Sequence, residues 1–472
     1  MSLFAVKPLS RIIRESEGGT HSLKRTLGPL NLILLGIGAV IGAGLFAITP
    51  TAAHNNAGPA VVFSFIVGGL GCAFAGMCYS EFATMIPVAG SAYTYAYATM
   101  GELLAWIIGW DLILEYAVGA ATLSVSWSNY LVKLLHHFGL ALPHNLTAGP
   151  FEGGIVNLPA IFVVCLTSMV LIRGISESAK FNAAIVMLKV SIVLIVIAVG
   201  WSHVIPANHT PFIPENTGTF GEFGISGIMR AAGIVFFAYI GFDAVSTAAQ
   251  ETKNPNRDMP IGIIGSLGIC TLLYVGFSYV LTGIMNYKDM GPTAIDDAMR
   301  SIGYGWLSTA IIVGILCGYA SVILVMLLGQ SRVFFSMSKD GLIPAVFSDV
   351  HPKFLTPWRS NLLLMFFVCL FGGFIPLASL GNMTSIGTLL AFVIVCVGVI
   401  VMRRTNPNAP RPYRTPWVPV VPILGVLVCF AMMASLDKET WIRLVVWLAI
   451  GLAVYFAYSR HHSRLVTDPE KP

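Results

Sequence analysis

The chain contains 472 residues, of which only 10% are charged and 56% are hydrophobic. A soluble domain carries about 25% charged residues, so this composition excludes a globular protein with a water-covered surface. The mean hydropathy of +0.80 also excludes a disordered chain. We therefore predict an all-α integral membrane protein with many spanning helices.

Apolar stretches long enough to cross a bilayer recur along the whole chain. A spanning helix needs about 20 mainly apolar residues. By this criterion we predict twelve spans, at 31–52, 59–82, 102–131, 157–173, 182–202, 226–250, 260–284, 302–330, 360–376, 384–402, 418–436 and 441–459.

The basic residues predict the orientation of these spans. Lys and Arg are concentrated in the cytoplasmic loops of membrane proteins. With twelve spans, 20 of the 27 basic residues fall on the side of the two termini, six fall on the other side, and Lys189 lies inside a span. We predict a multi-pass protein of the plasma (cytoplasmic) membrane, the inner membrane of a bacterial cell, with both termini in the cytoplasm.

Four charged residues lie deep within the predicted spans: Asp111, Glu115, Lys189 and Asp243. An ionisable group at this depth costs at least a few kcal/mol, so each requires a reason. Lys189 is a candidate for binding and releasing a proton, and the alternative is a permanently charged lysine that pairs with a carboxylate. Glu115 and Asp243 are candidates for a proton relay, and the alternative is that they cap freed amide groups or balance Arg and Lys at the cytoplasmic gate. For Asp111 such a structural role is favoured.

Glycine interrupts two of the spans. The first has four glycines between Gly36 and Gly44, and the sixth has Gly241 near its middle. Each glycine destabilises a helix by about 1 kcal/mol relative to alanine, although close helix packing would explain the first span alone. Two interrupted helices five spans apart enter the membrane from opposite sides, which indicates a transporter with a binding site between inverted halves.

Interrupted helices suit a ligand that carries one negative and one positive group. The N–H groups that begin a half-helix attract an anionic group such as a carboxylate, and freed carbonyl groups accept hydrogen bonds from an ammonium. These backbone groups must face a cavity and not lipid. The breaks therefore favour a zwitterion as substrate.

Three motifs resemble those of a known family. The segment Gly36–Phe46, GIGAVIGAGLF, resembles the first-helix signature of the amino acid–polyamine–organocation (APC) superfamily. The segment Phe236–Glu251, followed by Asn254–Gly262, is similar to its cationic amino acid transporter branch in the bacterial form. Gln330–Gly341 matches the motif that follows the eighth helix of that branch. The similarity runs from about residue 27 to residue 458.

The resemblance implies a five-plus-five inverted-repeat fold in which helices 1 and 6 are broken and two helices are added at the C-terminus. The chain then divides into a cytoplasmic tail (1–28), a transport core (29–404), a loop with helices 11 and 12 (405–459) and a second cytoplasmic tail (460–472). The two repeats of the core cover about 31–202 and 226–402.

The same resemblance implies where the substrate binds. The implied residues are Val40, Ile41, Gly42, Ala43, Gly44, Phe237, Ala238, Ile240 and Met326. Backbone N–H groups from Gly42 to Gly44 would receive the α-carboxylate, and carbonyl groups near Val40 and in the sixth helix would receive the α-amino group. Position 43 is often Ser or Thr in this family, so with Ala43 backbone donors or water would have to serve the carboxylate.

Met326 and Lys189 acquire roles by resemblance. A small or polar residue at the position of Met326 accompanies long cationic substrates in the family, so the methionine implies a small or medium neutral amino acid such as alanine. Ordinary core packing is the alternative for this residue. Lys189 takes the place that a sodium ion occupies in sodium-coupled relatives and would contact freed carbonyl groups of the first helix.

We predict a proton-coupled symporter that imports a neutral L-amino acid by alternating access. The alternatives are a transporter of Arg and Lys, or an amino acid exchanger without proton coupling. No potassium-filter, HExxH, GxSxG or GxxxxGK[ST] motif is present, which disfavours a channel, an enzyme or an ATP-driven pump. We predict no catalytic residue, metal or cofactor. The predicted partners are an amino acid, a proton and the lipid bilayer, with no nucleic acid, and a small single-span accessory subunit is left open.

Overall fold

A computed structural model describes residues 5–8, 11–12, 27–86, 91–173, 179–249, 252–354 and 356–467. Most of the predicted tail 1–28, the last part of the predicted tail 460–472 and the last residue of the predicted span 226–250 lie outside these residues. Within them the chain is helical and forms no strand, apart from an isolated bridge between Leu27 and Thr252. The prediction of an all-α protein is confirmed.

Helices of eight or more residues follow one another along the described chain. They are α1 (Pro29–Val40), α2 (Val61–Met85), α3 (Ser91–Thr99), α4 (Glu102–Ile113), α5 (Gly119–His137), α6 (Leu158–Arg173), α7 (Ala179–Trp201), α8 (Gly224–Val235), α9 (Pro255–Ile284), α10 (Ala294–Ser301), α11 (Gly305–Lys339), α12 (Trp358–Phe374), α13 (Leu377–Thr405), α14 (Val420–Ser435) and α15 (Lys438–Val454). Shorter helical turns occupy Gly44–Ile48, Thr49–Ala52, Ala53–Ala57, Leu114–Val118, Phe236–Tyr239, Ala244–Thr247, Tyr455–Ser459, Arg460–His462 and Arg464–Thr467. Helices α3 and α10 lie between predicted spans and were not expected from hydropathy.

Eight helical stretches are long and apolar enough to cross a membrane, judged by length and composition alone. They are Gly44–Met85, Glu102–His137, Ala183–Trp201, Gly224–Ser246, Pro255–Ile284, Gly305–Lys339, Leu377–Thr405 and Lys438–His462. The shorter apolar helices α1, α6, α12 and α14 overlap the first, fourth, ninth and eleventh predicted spans. The described chain is therefore a helical protein with several membrane spans, and the number twelve stays a prediction.

The helices pack around the two glycine-rich segments. Helix α9 packs against α1, α2 and α7, and α11 packs against α5, α6 and α7. The end of α1 and the segment 236–243 are buried. At the periphery, α15 exposes Ile442, Val445, Val446 and Ile450. An exposed apolar row of this kind is suited to contact with lipid.

The described chain ends lie at the same end of the helical bundle. The Nζ atom of Lys7 donates to Oδ1 of Asp340 at 2.7 Å, and the backbone N–H of Arg464 donates to the carbonyl oxygen of Asp340 at 3.0 Å. We call this the terminal end. At the opposite end, which we call the loop end, the Nδ2 atom of Asn56 donates to the carbonyl oxygen of Gly221 at 2.8 Å.

Candidate functional site

The first glycine-rich segment breaks a helix. Helix α1 ends at Val40 because Ile41 adopts an extended conformation, with φ −73° and ψ 105°. Helical geometry resumes at the turn Gly44–Ile48, which follows Gly42 and Ala43. A helix end leaves the last carbonyl groups without an intrahelical donor, and a helix start leaves the first N–H groups without an acceptor. The break therefore presents both kinds of backbone group within a few residues.

A second break follows α8. The turn Phe236–Tyr239 leads to Ile240, which is extended with φ −62° and ψ 138°, and then to Gly241 with φ +107°. Only glycine adopts such a φ without steric cost. A Cβ atom at Gly241 would also lie 3.0 Å from the carbonyl oxygen of Ala39, so a larger residue would crowd the first helix as well as strain the backbone.

The two breaks are in direct contact. An ideal Cβ atom on Gly44 would lie 2.3 Å from the Cα atom of Ala238 and 2.5 Å from its backbone nitrogen. Ala43 and Ala238 are completely buried, and Ile240 is 2% exposed. The unpaired backbone groups of both breaks therefore face the protein interior, which is the environment that irregular backbone requires inside a membrane.

A tyrosine joins the two breaks. The Tyr274 hydroxyl group of α9 lies 2.8 Å from the carbonyl oxygen of Ala238 and 3.1 Å from that of Val40, and it is placed to donate to either. Both carbonyl groups belong to residues implied to bind the substrate. Tyr274 is not recognisable from the sequence, because a tyrosine within an apolar span resembles an ordinary packing residue.

Lys189 lies against the first break. Its side chain is 2% exposed, and its Nζ atom donates to the carbonyl oxygen of Gly38 at 2.8 Å. In a continuous helix this carbonyl group would accept from the N–H of Gly42, which lies beyond the break. The structure thus places an amine group at a carbonyl group that the broken helix leaves available.

The eighth predicted span supplies another wall of the site. A Cβ atom on Gly42 would lie 3.3 Å from Cδ2 of Leu123 and 3.9 Å from Cγ2 of Val322. Met326 follows Val322 by four residues, so both project from the same face of α11. Met326 and Phe237 are 4% and 5% exposed. The residues implied to frame the substrate are therefore buried, and the face of α11 that carries Met326 borders the first break.

Three carboxyl groups form a separate buried group. Asp243 accepts from the Tyr116 hydroxyl group at 2.6 Å and from Oγ of Ser91 at 3.4 Å. Glu115 is within electrostatic reach of Asp243, and neither of its carboxyl oxygens has a hydrogen-bond partner among the described residues. The same is true of Asp111. Tyr116 and Ser91 were not identified from the sequence, since nothing in their spacing connects them to Asp243.

Together these contacts define what the site is able to do. It combines freed backbone donors and acceptors, an amine group at a helix break and buried carboxyl groups with few partners. Such an arrangement can bind a small molecule by its charged ends and can hold or release protons within the membrane.

The chain is similar to known transport proteins over almost its whole length. The amino acid permease family matches residues 27–455. The chain is 44% identical over 467 residues to the methylthioribose transporter of Bacillus subtilis, covering 98% of this chain and 99% of that protein. It is 45% identical over 470 residues to the branched-chain amino acid permease BcaP of the same organism, with the same coverage. It is 34% identical over 474 residues to the chloroplastic cationic amino acid transporter 9 of Arabidopsis thaliana, covering 98% of this chain and 82% of that protein.

These similarities extend over almost the whole chain, and the range matched by the family, residues 27–455, spans the two breaks, Lys189 and the buried carboxyl groups. They agree with the apolar helices, and they identify a multi-pass membrane transporter and not an enzyme. The chain belongs to the amino acid permease family of the APC superfamily.

Proposed function

We propose that the protein is a proton-coupled symporter, which imports a small or medium neutral L-amino acid by alternating access. The observation that carries this proposal is the hydrogen bond of Lys189 to the carbonyl oxygen of Gly38, beside the break in the first helix. A buried lysine amine is a group that gains and loses a proton as its surroundings change. Its protonation would then depend on the position of the helix that carries the substrate site.

The proposed architecture has twelve spans, with two inverted repeats of about 31–202 and 226–402. The direct contact of Gly44 with Ala238 supports this arrangement, because it joins helix breaks that lie five predicted spans apart. Two further C-terminal helices lie in 405–459. The 20 basic residues on the side of the termini favour a cytoplasmic terminal end and an extracytoplasmic loop end in the plasma membrane.

Within this architecture the substrate would lie at the first break. Its α-carboxylate would accept from backbone N–H groups between Gly42 and Gly44, with Ala43 offering no hydroxyl group. Its α-ammonium would donate to carbonyl groups at Val40 and in the sixth helix. The Tyr274 hydroxyl group lies within hydrogen-bond distance of two such oxygens, those of Val40 and Ala238, and keeps them close together. Met326 would limit the length and charge of the side chain.

The carboxyl groups provide the second part of the proposed proton path. Asp243 and Glu115 are buried together, so a single proton is able to lower the charge of the pair. Proton release at the terminal end would then accompany the reopening of the site. This role for the pair is independent of the hydrogen bond made by Lys189.

Reconstituted transport tests the function. The purified full-length protein in liposomes is given labelled alanine, isoleucine, arginine and methylthioribose, with and without an inward proton gradient. The proposal predicts accumulation of a neutral amino acid that requires the proton gradient and not sodium. Uptake that sodium drives and pH does not affect would contradict proton coupling.

Two alternatives are supported by specific relatives. Relatives are named as cationic amino acid transporters and as a methylthioribose transporter. Accumulation of arginine in the same assay would favour the former, and accumulation of methylthioribose would favour the latter. Counterflow without net uptake would indicate an exchanger.

Met326→Ser is expected to widen acceptance toward Arg and Lys. The substitution removes most of a buried side chain and adds a hydroxyl group on the face of α11 that borders the first break. We expect the ratio of arginine to neutral amino acid uptake to rise at least about tenfold, the effect of roughly 1.4 kcal/mol. Met337→Ser, a buried change on the same helix at the terminal end, is the control for lost packing alone. Unchanged selectivity in Met326→Ser would remove this residue from the pocket.

Tyr274→Phe is expected to slow transport by about threefold to tenfold, since a neutral hydrogen bond contributes about 0.5–1.5 kcal/mol. The substitution removes the hydroxyl group that lies between the Val40 and Ala238 carbonyl groups and preserves the ring. Initial rates in liposomes measure the effect. Tyr319→Phe is the matched control, because the buried Tyr319 hydroxyl group has no hydrogen-bond partner among the described residues. Equal rates for the two variants would contradict a bridging role.

A further inference from the structure

The connection between α13 and α14, together with the last turn of α13, carries charge of one sign. Four arginines lie between residues 403 and 414, namely Arg403, Arg404, Arg411 and Arg414. The chain contains no Asp or Glu from residue 350 to residue 436, so these arginines have no acidic neighbour in the sequence. We call residues 403–417 the arginine loop. Its charge must be balanced by other parts of the molecule or by a bound anion.

One buried carboxylate, that of Glu81 at the end of α2, balances part of this charge. The Nε and Nη2 atoms of Arg403 donate to its two oxygens at 2.9 and 2.8 Å, and the Nε atom of Arg411 lies 3.3 Å from Oε1. Partial burial lowers the pKa of the Arg411 guanidinium, and so do the positive charges of Arg403 and Arg414. Glu81 acts on this pKa in the opposite direction but carries a single charge. The arginine loop therefore keeps an excess of positive charge.

Hydrogen bonds hold the arginine loop in a fixed shape. The Nη1 atom of Arg411 donates to the carbonyl oxygen of Pro407 at 2.9 Å, and its Nη2 atom donates to that of Asn406 at 2.6 Å. The Thr415 hydroxyl group donates to the carbonyl oxygen of Met77 in α2 at 3.1 Å. The loop is thus attached both to itself and to a neighbouring helix, so a ligand would meet a preformed surface.

Two guanidinium groups remain at this surface. Arg404 and Arg414 are exposed, and neither forms an ion pair or a hydrogen bond with the described chain. The Nη2 atom of Arg403 donates to the carbonyl oxygen of Thr415 at 3.3 Å. Arg404 and Arg414 are the chain neighbours of these two residues, so both belong to the same corner of the loop. This corner offers two sets of free N–H donors to an anion.

The arginine loop leads directly into an apolar helix face. Trp417 is 80% exposed, and tryptophan is enriched at the boundary between membrane and water. Helix α14 begins three residues further on and exposes an apolar row formed by Val420, Ile423, Leu427 and Phe430. Residues spaced three and four apart lie on one face of a helix, and an exposed apolar face is suited to lipid. The free guanidinium groups therefore lie at the level of lipid headgroups, beside a strip that acyl chains would cover.

We propose that the arginine loop binds the headgroup phosphate of an anionic phospholipid, with Arg404 and Arg414 as its charged partners. A guanidinium group donates two parallel hydrogen bonds to a phosphate. The acyl chains of the same lipid would lie along the apolar row of α14, which a free phosphate ion would leave uncovered. A zwitterionic lipid carries its own ammonium group, which the excess positive charge of the loop disfavours. This lipid site goes beyond the proposed function and does not depend on the substrate.

Lipid titration followed by native mass spectrometry tests this site. The purified full-length protein in a neutral detergent is titrated with dioleoyl phosphatidylglycerol or dioleoyl phosphatidylcholine, with inorganic phosphate as a competitor. We expect saturable binding of phosphatidylglycerol that is at least about fivefold tighter than that of phosphatidylcholine. In Arg404→Gln/Arg414→Gln the Kd for phosphatidylglycerol should rise about 25-fold, since each basic residue beside an anionic lipid contributes about fivefold.

Arg257→Gln/Arg460→Gln is the matched control, because it removes two exposed arginines on the predicted side of the termini and leaves the arginine loop intact. This variant should bind phosphatidylglycerol as the wild type does. Equal affinity for the two lipids, unchanged affinity in Arg404→Gln/Arg414→Gln, or an equal loss in the control would overturn the proposal. Displacement of the lipid by an equal concentration of inorganic phosphate would also overturn it and would indicate a site for a free anion. Thermal unfolding without added lipid verifies that each variant folds.

Discussion

Lys189→Ala is expected to abolish proton-driven accumulation of substrate in liposomes. The substitution removes the amine that donates to the carbonyl oxygen of Gly38 and leaves that acceptor without its partner at the first break. Hydrogen bonds from charged groups contribute about 1.5–3 kcal/mol, so the initial rate should fall roughly 10-fold to 100-fold. Uptake of labelled amino acid with and without an imposed proton gradient measures the effect. Full accumulation in the variant would remove Lys189 from the mechanism.

Lys189→Arg separates the hydrogen bond from the release of a proton. Arginine retains a positive charge and N–H donors, but it does not deprotonate in proteins. We expect this variant to bind substrate, with the proton gradient no longer driving accumulation. Lys288→Ala, a change in a loop-end turn, should behave as the wild type. Thermal unfolding of each purified protein verifies that the variants fold, so a loss of transport can be assigned to the site.

The general architecture was predictable from composition. A chain with only 10% charged residues belongs in lipid, where every backbone N–H and C=O group must find a hydrogen-bond partner within the protein, and helices meet this requirement. Helix positions were predictable from apolar length. Helices α3 and α10 were not, since α3 is buried but short and α10 is short and carries the adjacent Asp296 and Asp297. Hydropathy averaged over a window of about 19 residues does not register an element of eight or nine residues.

The backbone part of the site was more predictable than its side chains. Gly241 is required by its positive φ, and Gly44 is required by the close approach of Ala238. Because both requirements disfavour other residue types, the glycines themselves mark the two breaks in a single sequence. Tyr274 is different, because its partners are two main-chain carbonyl groups at distant positions in the chain. Every residue carries a main-chain carbonyl group, so no residue type in the sequence marks the partners of Tyr274. Tyr116 and Asp243 are likewise joined only by the folded arrangement.

The role of Asp111 cannot be assigned from the free-energy cost of a charged group inside the membrane alone. Its predicted role was structural, through capping or pairing with a basic residue. The described residues offer neither of its oxygens a hydrogen-bond partner, and a Cβ atom on Gly387 would lie 3.1 Å from Oδ1. An isolated buried carboxylate is costly, whereas a protonated carboxyl group is tolerated. Asp111 therefore shares with Glu115 a buried carboxyl group that has no hydrogen-bond partner among the described residues.

Gly44→Ala is expected to reduce transport about 100-fold, even though it adds a single methyl group. The new Cβ atom would lie 2.3 Å from the Cα atom of Ala238, whereas carbon atoms in contact are separated by about 3.5–4.0 Å. The two breaks must then move apart by about 1 Å, and a displacement of this size at a reacting or binding group costs about 10²-fold. Initial rates and substrate affinity in liposomes would measure the loss.

Two further variants distinguish this steric effect from a general effect of alanine in the helices. Gly268→Ala should leave transport unchanged, because a Cβ atom there meets nothing within 4 Å. Combining Gly44→Ala with Ala238→Gly should restore little activity, since the closest atoms of Ala238 include its Cα and backbone nitrogen, which glycine retains. Wild-type transport by Gly44→Ala, or full rescue by the double variant, would show that the backbones of the two breaks are not in contact during transport.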